Sequence, residues 1–207
     1  MSLIDELYPV KKSECKAAAQ ILANAFSEKP MLKKLKIPIE DMQNMFEMMI
    51  LFSLRYGKIY ATSAELEGIL VFLPEKHAIM KSWQIIRSGA IFPVLKIKKQ
   101  LMQILKITGE ILDEDKKNLT IGPYIYGLAI GIAQSHQGKG LGGELMQALI
   151  EKADKEGKAI FLETDTRENV KLYQHYGFTV VKEIILPELE IPMWEMARVT
   201  SAKNINS

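Results

Sequence analysis

A glycine-rich stretch between an apolar run and an amphipathic run constrains this 207-residue chain more than any other feature. The stretch spans residues 137–143, with the sequence QGKGLGG. The run before it, 124–133, is apolar and typical of a buried strand. After it, apolar residues recur at the spacing of an amphipathic helix, at Leu141, Leu145, Ala148 and Leu149. The sequence therefore predicts a strand, a glycine-rich loop and a helix in succession.

The composition of this loop is typical of an anion site built from main chain. Glycine permits backbone angles that other residues avoid, and it leaves no side chain to obstruct a ligand. The first N–H groups of the following helix lack partners and lie at the positive end of the helix dipole. We therefore expect the backbone of residues 137–143 to bind a phosphate group.

Three patterns could identify that phosphate. Gly138, Gly140 and Gly143 satisfy G-x-G-x-x-G, and Glu163 follows at the distance of a ribose-binding acid in a dinucleotide fold. However, residues 134–137 separate the strand from the first glycine, and only one further strand–helix pair fits after Glu163. A dinucleotide-dependent oxidoreductase is therefore disfavoured. The phosphate-loop pattern G-x-x-x-x-G-K-[ST] is absent.

The same stretch also fits Q-x-x-G-x-G, with Gln137, Gly140 and Gly142 at the fixed positions. In that form it resembles the acyl-CoA pyrophosphate loop of the GNAT superfamily of N-acyltransferases. Residues 159–178, AIFLETDTRENVKLYQHYGF, resemble the second motif of the superfamily, a strand followed by a short helix with L-Y-x-x-x-G-F. The resemblance covers residues 121–199, is weaker over 1–75 and does not extend to 76–120.

The resemblance implies an α+β fold with three layers. Its sheet would be mixed and mostly antiparallel, with helices on both faces and central strands that splay apart. We expect one domain over residues 1–207, in four parts along the chain. These are an acceptor-side half (1–75), a helical insertion (76–120), an acyl-CoA-binding half (121–199) and a polar tail (200–207).

Local patterns predict the elements of the first half. Leu7–Val10 is a candidate strand, and Ser13 is a candidate cap for a helix ending at Phe26. A second helix is expected between Pro38 and Gly57. A hairpin should follow, with strands at 58–62 and 66–73.

The insertion is predicted to be helical with breaks at Gly89 and Pro93. Trp83, Ile86 and Ala90 share one helical face, and a second apolar stripe begins at Val94. Residues 113–118, DEDKKN, are expected to form an exposed turn. Between Lys76 and Gly109 there are seven basic residues and no acidic one. These basic residues could form a solvated helix face, a lid over the acceptor site, a contact for the ribose phosphate of CoA or an oligomer surface. If they form an oligomer surface, the protein could be a homodimer.

The resemblance assigns acetyl-CoA as the acyl donor and no metal. Backbone amides of 138–143 would hold its pyrophosphate, with Gln137 ordering the loop. The strand segment Ile130–Ile132 would pair with pantetheine and supply the oxyanion donor, and Gly131 would ease a local bulge. The expected cofactor-binding residues are Ile130, Gly131, Ile132, Gln137, Gly138, Lys139, Gly140, Leu141, Gly142, Gly143, Asn169 and Tyr173.

Two residues are candidates for proton transfer. Tyr173 lies at the general-acid position of the superfamily, close to the CoA sulfur, and a phenol with a pKa near 10 stays protonated at pH 7. Glu163, at a strand end facing the cleft, is the candidate general base, with a water chain as the alternative. Tyr176 is expected to pack, and Asn169 to cap the helix, contact the cofactor or do both.

The predicted function is an N-acetyltransferase that moves an acetyl group from acetyl-CoA to an amine by direct attack in a ternary complex. The alternative is a non-catalytic module that senses acyl-CoA. A small-molecule amine is the favoured acceptor, although the sequence does not identify it.

Composition excludes several other classes of function. A formal charge of +2 without Arg–aromatic interleaving gives no case for nucleic acid. The three histidines are scattered, which disfavours a metal site. The longest apolar run is about half the roughly 20 residues of a membrane helix. A single cysteine and no recognisable signal peptide favour a cytoplasmic protein.

Overall fold

The computed structural model describes residues 2–186 and 189–200. Pro187, Glu188 and the predicted tail from residue 201 onward lie outside the described residues. The helices are α1 (Leu3–Glu6), α2 (Cys15–Phe26), α3 (Pro30–Lys34), α4 (Ile39–Tyr56), α5 (Ser82–Ser88), α6 (Ile91–Val94), α7 (Lys99–Lys117), α8 (Leu141–Lys155) and α9 (Arg167–His175). The strands are β1 (Tyr8–Pro9), β2 (Lys58–Ala61), β3 (Gly68–Pro74), β4 (Tyr124–Ile132), β5 (Ala159–Thr164), β6 (Thr179–Leu186) and β7 (Ile191–Arg198).

These strands form one sheet in the order β1-β2-β3-β4-β5-β7-β6. The pair β4–β5 is parallel and the other pairs are antiparallel. Helices α2 and α4 pack on one face, while α1 and α8 pack on the other. The predicted α+β class, with a mostly antiparallel sheet and helices on both faces, is confirmed.

The two central strands separate along their length. They pair only where Tyr124–Tyr126 lies beside Ala159–Phe161. Beyond that point β4 continues beside β3, and β5 continues beside β7. The predicted splay is therefore present, and it opens a gap towards the carboxyl ends of both strands.

The irregular residue of β4 is Leu128, and the prediction of a bulge at Gly131 is wrong. Val71 of β3 lies opposite Ala129, and Phe72 lies opposite Gly127, so Leu128 is the extra residue. Gly131 instead accommodates helix α2. A Cβ atom at Gly131 would lie 2.7 Å from Cδ2 of Leu22, so the close approach of α2 requires the glycine.

The side chains of strand β5 alternate between the two faces of the sheet. Ile160 and Leu162 point into the core beneath α8. Phe161 packs with Phe52 of α4 on the opposite face. Because side chains alternate along a strand, Glu163 lies on the same face as Phe161. The candidate base therefore projects towards the α4 side of the sheet.

Two predicted helix boundaries differ in detail. Ser13 lies inside a 3-10 turn, Lys12–Glu14, and α2 begins at Cys15 without a side-chain cap. Gly57 ends α4 as predicted, with its N–H donating to the Ser53 carbonyl. A Cβ atom at Gly57 would lie 2.4 Å from the Phe72 carbonyl oxygen, so neighbouring β3 also requires a glycine there.

The insertion is helical, but its first apolar face is turned outward. Trp83 and Ile86 are 54% and 62% exposed, whereas Gln84 is buried. Gln84 can lie inside because its Nε2 is 2.9 Å from His77 Nδ1 and its Oε1 accepts from the Lys81 N–H. Periodicity identified the apolar face of α5, but packing against neighbouring elements buries the side of this helix that carries Gln84.

The two predicted breaks of the insertion have different outcomes. Gly89 ends α5 in the left-handed region, with φ of 80°, as predicted. Pro93 lies within the short helix α6 and does not interrupt it. No helix in residues 2–186 or 189–200 combines the length and apolar character needed to cross a bilayer.

The last part of the insertion also differs from the prediction. Residues 113–117 belong to the final turns of α7 and do not form an exposed turn. The side chain of Lys116 is only 4% exposed, because α7 lies against the sheet at this point.

Candidate active site

A cavity of about 290 Å³ opens where β4 and β5 separate. Its walls come from β4, the start of α8, the end of β5, and α9 with the residues that follow it. Phe26 and Lys29 close it on the α2 side. Most of its wall is apolar, with polar groups from Thr164, Asn169 and two tyrosines. The cavity thus joins the two sequence motifs at one place.

The glycine-rich loop lies at the α8 end of this cavity. Gly138 and Gly140 have φ of 77° and 86°, a region that residues with a Cβ rarely adopt. The Gly140 carbonyl accepts from the N–H groups of Gly143 and Glu144 at 2.9 and 3.1 Å, which starts the helix. The N–H groups of Leu141 and Gly142 precede the first intrahelical bond and are available to an anion.

The remaining loop residues order or border this site. Gln137 Nε2 donates to the Ile132 carbonyl at 3.2 Å, which ties the loop to the end of β4. Lys139 is exposed. Gly142 and Gly143 line the cavity itself. The structure therefore places the predicted pyrophosphate residues around one helix start.

Strand β4 contributes main chain to the gap. Ile130 and Ile132 line the cavity, whereas Gly131 faces α2. The Ala133 N–H donates to the Glu67 carbonyl on the β3 side at 2.7 Å. Because successive backbone groups alternate in direction, the N–H groups of Ile130 and Ile132 point towards β5, into the gap. They can bind an extended ligand or an oxyanion.

Tyr173 lies in the wall of the cavity, with its ring 5.6 Å from that of Phe178. Burial raises the pKa of Tyr173 to about 12, and the negative charge of Asp165 adds to the rise. The hydroxyl therefore keeps its proton at neutral pH.

Tyr176 is a cavity residue that sequence reasoning did not assign to the site. It packs against the core as predicted, but it also lines the cavity. A Cβ atom at Gly143 would lie 2.9 Å from its hydroxyl oxygen. The three-residue spacing from Tyr173 was the available signal, since residues three apart share a side of a helix.

Asn169 does not cap α9. Thr166 is the cap residue, and its hydroxyl accepts from the Asn169 N–H at 3.3 Å. The Asn169 side chain instead donates to Thr164 Oγ1 at 3.0 Å and lines the cavity. It therefore fixes the end of β5 relative to α9.

Glu163 lines the cavity and is held by a lysine that the sequence did not connect to it. Lys116 Nζ lies 2.7 Å from Glu163 Oε1, and both side chains are at least nine-tenths buried. The contact is an ion pair whose angle departs from that of a hydrogen bond. The same ammonium lies 4.7 Å from the centre of the Tyr126 ring. Burial raises the pKa of the Tyr126 phenol well above its usual value, and the negative charge of Glu163 adds to the rise.

A second carboxyl group lies behind Glu163. Glu195 is its direct partner in the β5–β7 register and is also buried. Burial raises the pKa of Glu195 to about 7, and the negative charge of Asp115 contributes to the rise. Among the described residues, no group of three His, Cys, Asp or Glu side chains is arranged to hold a metal ion.

Comparison with known proteins identifies related chains. Residues 100–180 match the family model described as an acetyltransferase (GNAT) domain. An uncharacterised N-acetyltransferase of Schizosaccharomyces pombe, C550.08, is 24% identical over 188 residues, which cover 86% of this chain and 75% of that protein.

Solved structures show the same fold. The crystal structure of arylalkylamine N-acetyltransferase 2 from Aedes aegypti superposes with a TM-score of 0.65 at 15% identity, covering 93% of this chain and 97% of the other. A structure from Corynebacterium glutamicum, described as histone acetyltransferase HPA2 and related acetyltransferase, gives 0.60 at 18% identity, covering 94% and 96%.

Proposed function

Since residues 100–180 match an acetyltransferase (GNAT) domain, we propose that this chain is an N-acetyltransferase of the GNAT superfamily, which takes the acetyl group from acetyl-CoA and transfers it to an amine by direct attack in a ternary complex. One observation carries the proposal. The gap between β4 and β5 has a glycine-rich helix start at one end and a protonated phenol in its wall. An acyl thioester with a phosphate-bearing tail needs these features together.

The residues present fit such a donor. Nothing lies within 4 Å of the position of a Cβ atom at Gly138 or Gly140, so the loop backbone is open to a pyrophosphate. The free N–H groups at the start of α8 supply hydrogen bonds and a favourable dipole. Ile130 and Ile132 would pair with the pantetheine arm, and Asn169 borders the same arm.

The chemistry follows from these positions. A strand N–H from β4 would stabilise the oxyanion as the amine nitrogen bonds to the acyl carbon. When the C–S bond breaks, Tyr173 would donate its proton to the thiolate, because a phenol with a pKa of about 12 is protonated at pH 7. Glu163 would accept one proton from the acceptor ammonium before attack. The second proton, which the nitrogen loses as the amide forms, would restore the phenol of Tyr173.

An amine acceptor is the class of substrate that these groups favour. The carboxylate of Glu163 lies in the wall of the cavity, where it can attract and deprotonate an ammonium group. Calorimetric titration with acetyl-CoA tests the donor half of the proposal. We expect micromolar binding to the wild-type protein.

The loop variant Gly140→Glu places a side chain and a negative charge at a φ of 86°, and it should abolish that binding. Gly157→Glu is the matched control. It puts the same side chain at a φ of 62° beyond the far end of α8, where nothing lies within 4 Å. Equal binding by wild type and Gly140→Glu, or none by wild type, would reject the proposed donor site.

A further inference from the structure

The proposed reaction releases a proton that must leave the cavity. An alkylammonium acceptor and acetyl-CoA give an amide, free CoA thiol and one proton. The nitrogen loses two protons as the amide forms, and only one of them is needed to make the thiol. With a pKa near 10, such an acceptor is protonated at neutral pH. One proton therefore departs in every turnover.

A series of carboxyl groups leads from the cavity to the surface. Glu163 lies in the cavity wall, and Glu195 is its direct partner on β7. Directly opposed residues of an antiparallel pair project to the same face, with Cβ atoms about 5 Å apart. The two carboxyl groups are therefore neighbours on the α7 side of the sheet.

Glu195 is next joined to Asp115 of α7. Lys182 of β6 is the register partner of Glu195, and its ammonium pairs with Asp115, which brings the two carboxyl groups to the same place. Glu195 Oε1 and Asp115 Oδ2 are buried, and neither receives a hydrogen bond from a donor group within the described part of the chain. Two carboxyl groups satisfy each other only when they share a proton. A proton shared between Glu195 and Asp115 would satisfy both of these atoms.

The series ends at the surface. Asp115 Oδ1 accepts from Lys182 Nζ on β6, and the Lys182 side chain is 46% exposed. The Asp115 side chain is itself 15% exposed. Water can therefore reach the outer end of the series but not its middle, since Glu195 is only 1% exposed.

We propose that Glu163, Glu195 and Asp115 form a relay that carries the proton of the acceptor ammonium from the cavity to the surface beside Lys182. The inference rests on the proposed function. Glu163 accepts the N–H proton and passes one to Glu195. Glu195 gives its shared proton to Asp115, which releases one to solvent. One proton enters and one leaves, so each carboxyl group returns to its starting state.

The neighbouring charges are compatible with this relay. Lys116 pairs with Glu163 and lies 3.8 Å from Asp113, so one cation offsets the inner carboxylates. Tyr126 remains protonated, because burial and the negative charge of Glu163 raise its pKa. Lys182 stabilises the outer carboxylate. Burial raises the pKa of Glu195 to about 7, which allows it to gain and lose a proton near neutral pH.

The test uses Glu195→Gln in the full-length enzyme with an alkylamine acceptor. The amide keeps the shape of the side chain but cannot accept and release a proton. We expect kcat at pH 7 to fall about tenfold or more, with the KM for acetyl-CoA unchanged. The defect should shrink as pH approaches the pKa of the acceptor, since a neutral amine brings no extra proton. A small buffer such as imidazole should restore part of the rate.

Two further variants complete the design. Asp115→Asn should reproduce the kcat loss and its rescue by buffer. Glu156→Gln, which removes a partly exposed carboxylate at the far end of α8, should leave the rate unchanged. The relay would be overturned if Glu195→Gln kept the kcat of the wild type, or if its loss of kcat were relieved neither by higher pH nor by buffer. The proposed function would still stand in either case, provided that the wild-type enzyme turns over.

Discussion

Lys116, near the end of helix α7, places its ammonium nitrogen 2.7 Å from the carboxylate of Glu163 on β5. The two side chains are 4% and 8% exposed. The insertion is thus joined through a buried ion pair to a residue in the cavity wall. Two of its other residues, Asp113 and Asp115, lie in the same polar cluster.

Replacing Lys116 by methionine should destabilise the fold strongly. Glu163 would keep its charge in a buried place without its partner, which typically costs about 3–5 kcal/mol of unfolding free energy. Urea unfolding measures this. The double variant Lys116→Met/Glu163→Gln should recover most of the loss, because no unpaired charge remains.

Lys117→Met is the control for this experiment. Lys117 pairs with Glu114 on the exposed side of the same helix turn, so its removal should cost less than about 1 kcal/mol. Equal losses for the two lysine variants would show that the buried pair has no special role.

Gly143→Ala should weaken acetyl-CoA binding, because the added methyl group would lie 2.9 Å from the Tyr176 hydroxyl and displace it. Gly109→Ala in α7 is the control, since nothing lies within 4 Å of the added Cβ atom and Gly109 is not a cavity residue. Calorimetry should show at least about a tenfold weaker affinity for Gly143→Ala alone, equivalent to about 1.4 kcal/mol. Adding Tyr176→Phe should recover part of the affinity if contact with the hydroxyl causes the loss.

Tyr173→Phe should lower kcat by about 100-fold and leave acetyl-CoA affinity near normal, because only the proton donor is removed. Steady-state kinetics and calorimetry together separate the two effects. Tyr176→Phe, which lies on the same cavity wall, should retain more of kcat. Unchanged turnover in Tyr173→Phe would exclude the acid role.

The pH dependence of stability should report the state of Glu195. Its pKa is raised from 4.5 to about 7 on folding, so the unfolded chain loses this proton first as pH rises. The contribution of this proton to the free energy of unfolding is fully present below pH 4.5 and is lost as pH rises through about 7. The total loss is up to about 3 kcal/mol. Glu195→Gln should therefore gain stability relative to wild type between pH 4.5 and 7.5. A constant difference in urea unfolding across that range would contradict the assignment.

The two motifs were predictable because their requirements are local. Gly138 and Gly140 must adopt positive φ within one loop, and the strand before them needs only a continuous apolar run. The mixed sheet and the separation of β4 from β5 were expected from the resemblance of the two motifs to the GNAT superfamily. Short-range spacing alone gave the strand, the loop and the helix.

The side-chain partners across the fold were not predictable in this way. Sequence patterns placed Lys116 in an exposed turn, which is wrong. They grouped Trp83 with Ile86 and Ala90 on one helical face, but they did not show that Trp83 would be exposed. For Glu195, the sequence indicated only that its side chain lies on the opposite face of the strand from Trp194 and Met196. A one-dimensional pattern gives the faces of each element, but not which element covers them.

The sequence by itself therefore determined the glycine-rich loop between β4 and α8, which follows from backbone angles and local periodicity. The expectation of the fold class came from the resemblance of its two motifs to the GNAT superfamily. Only the tertiary structure decided the surroundings of Glu163. There α7, β4, β5 and β7 meet, and the burial that pairs Lys116 with Glu163 and Glu195 with Asp115 arises from their packing. Desolvation depends on what surrounds a group in three dimensions, so its consequences for charge and proton affinity appear only when the chain is folded.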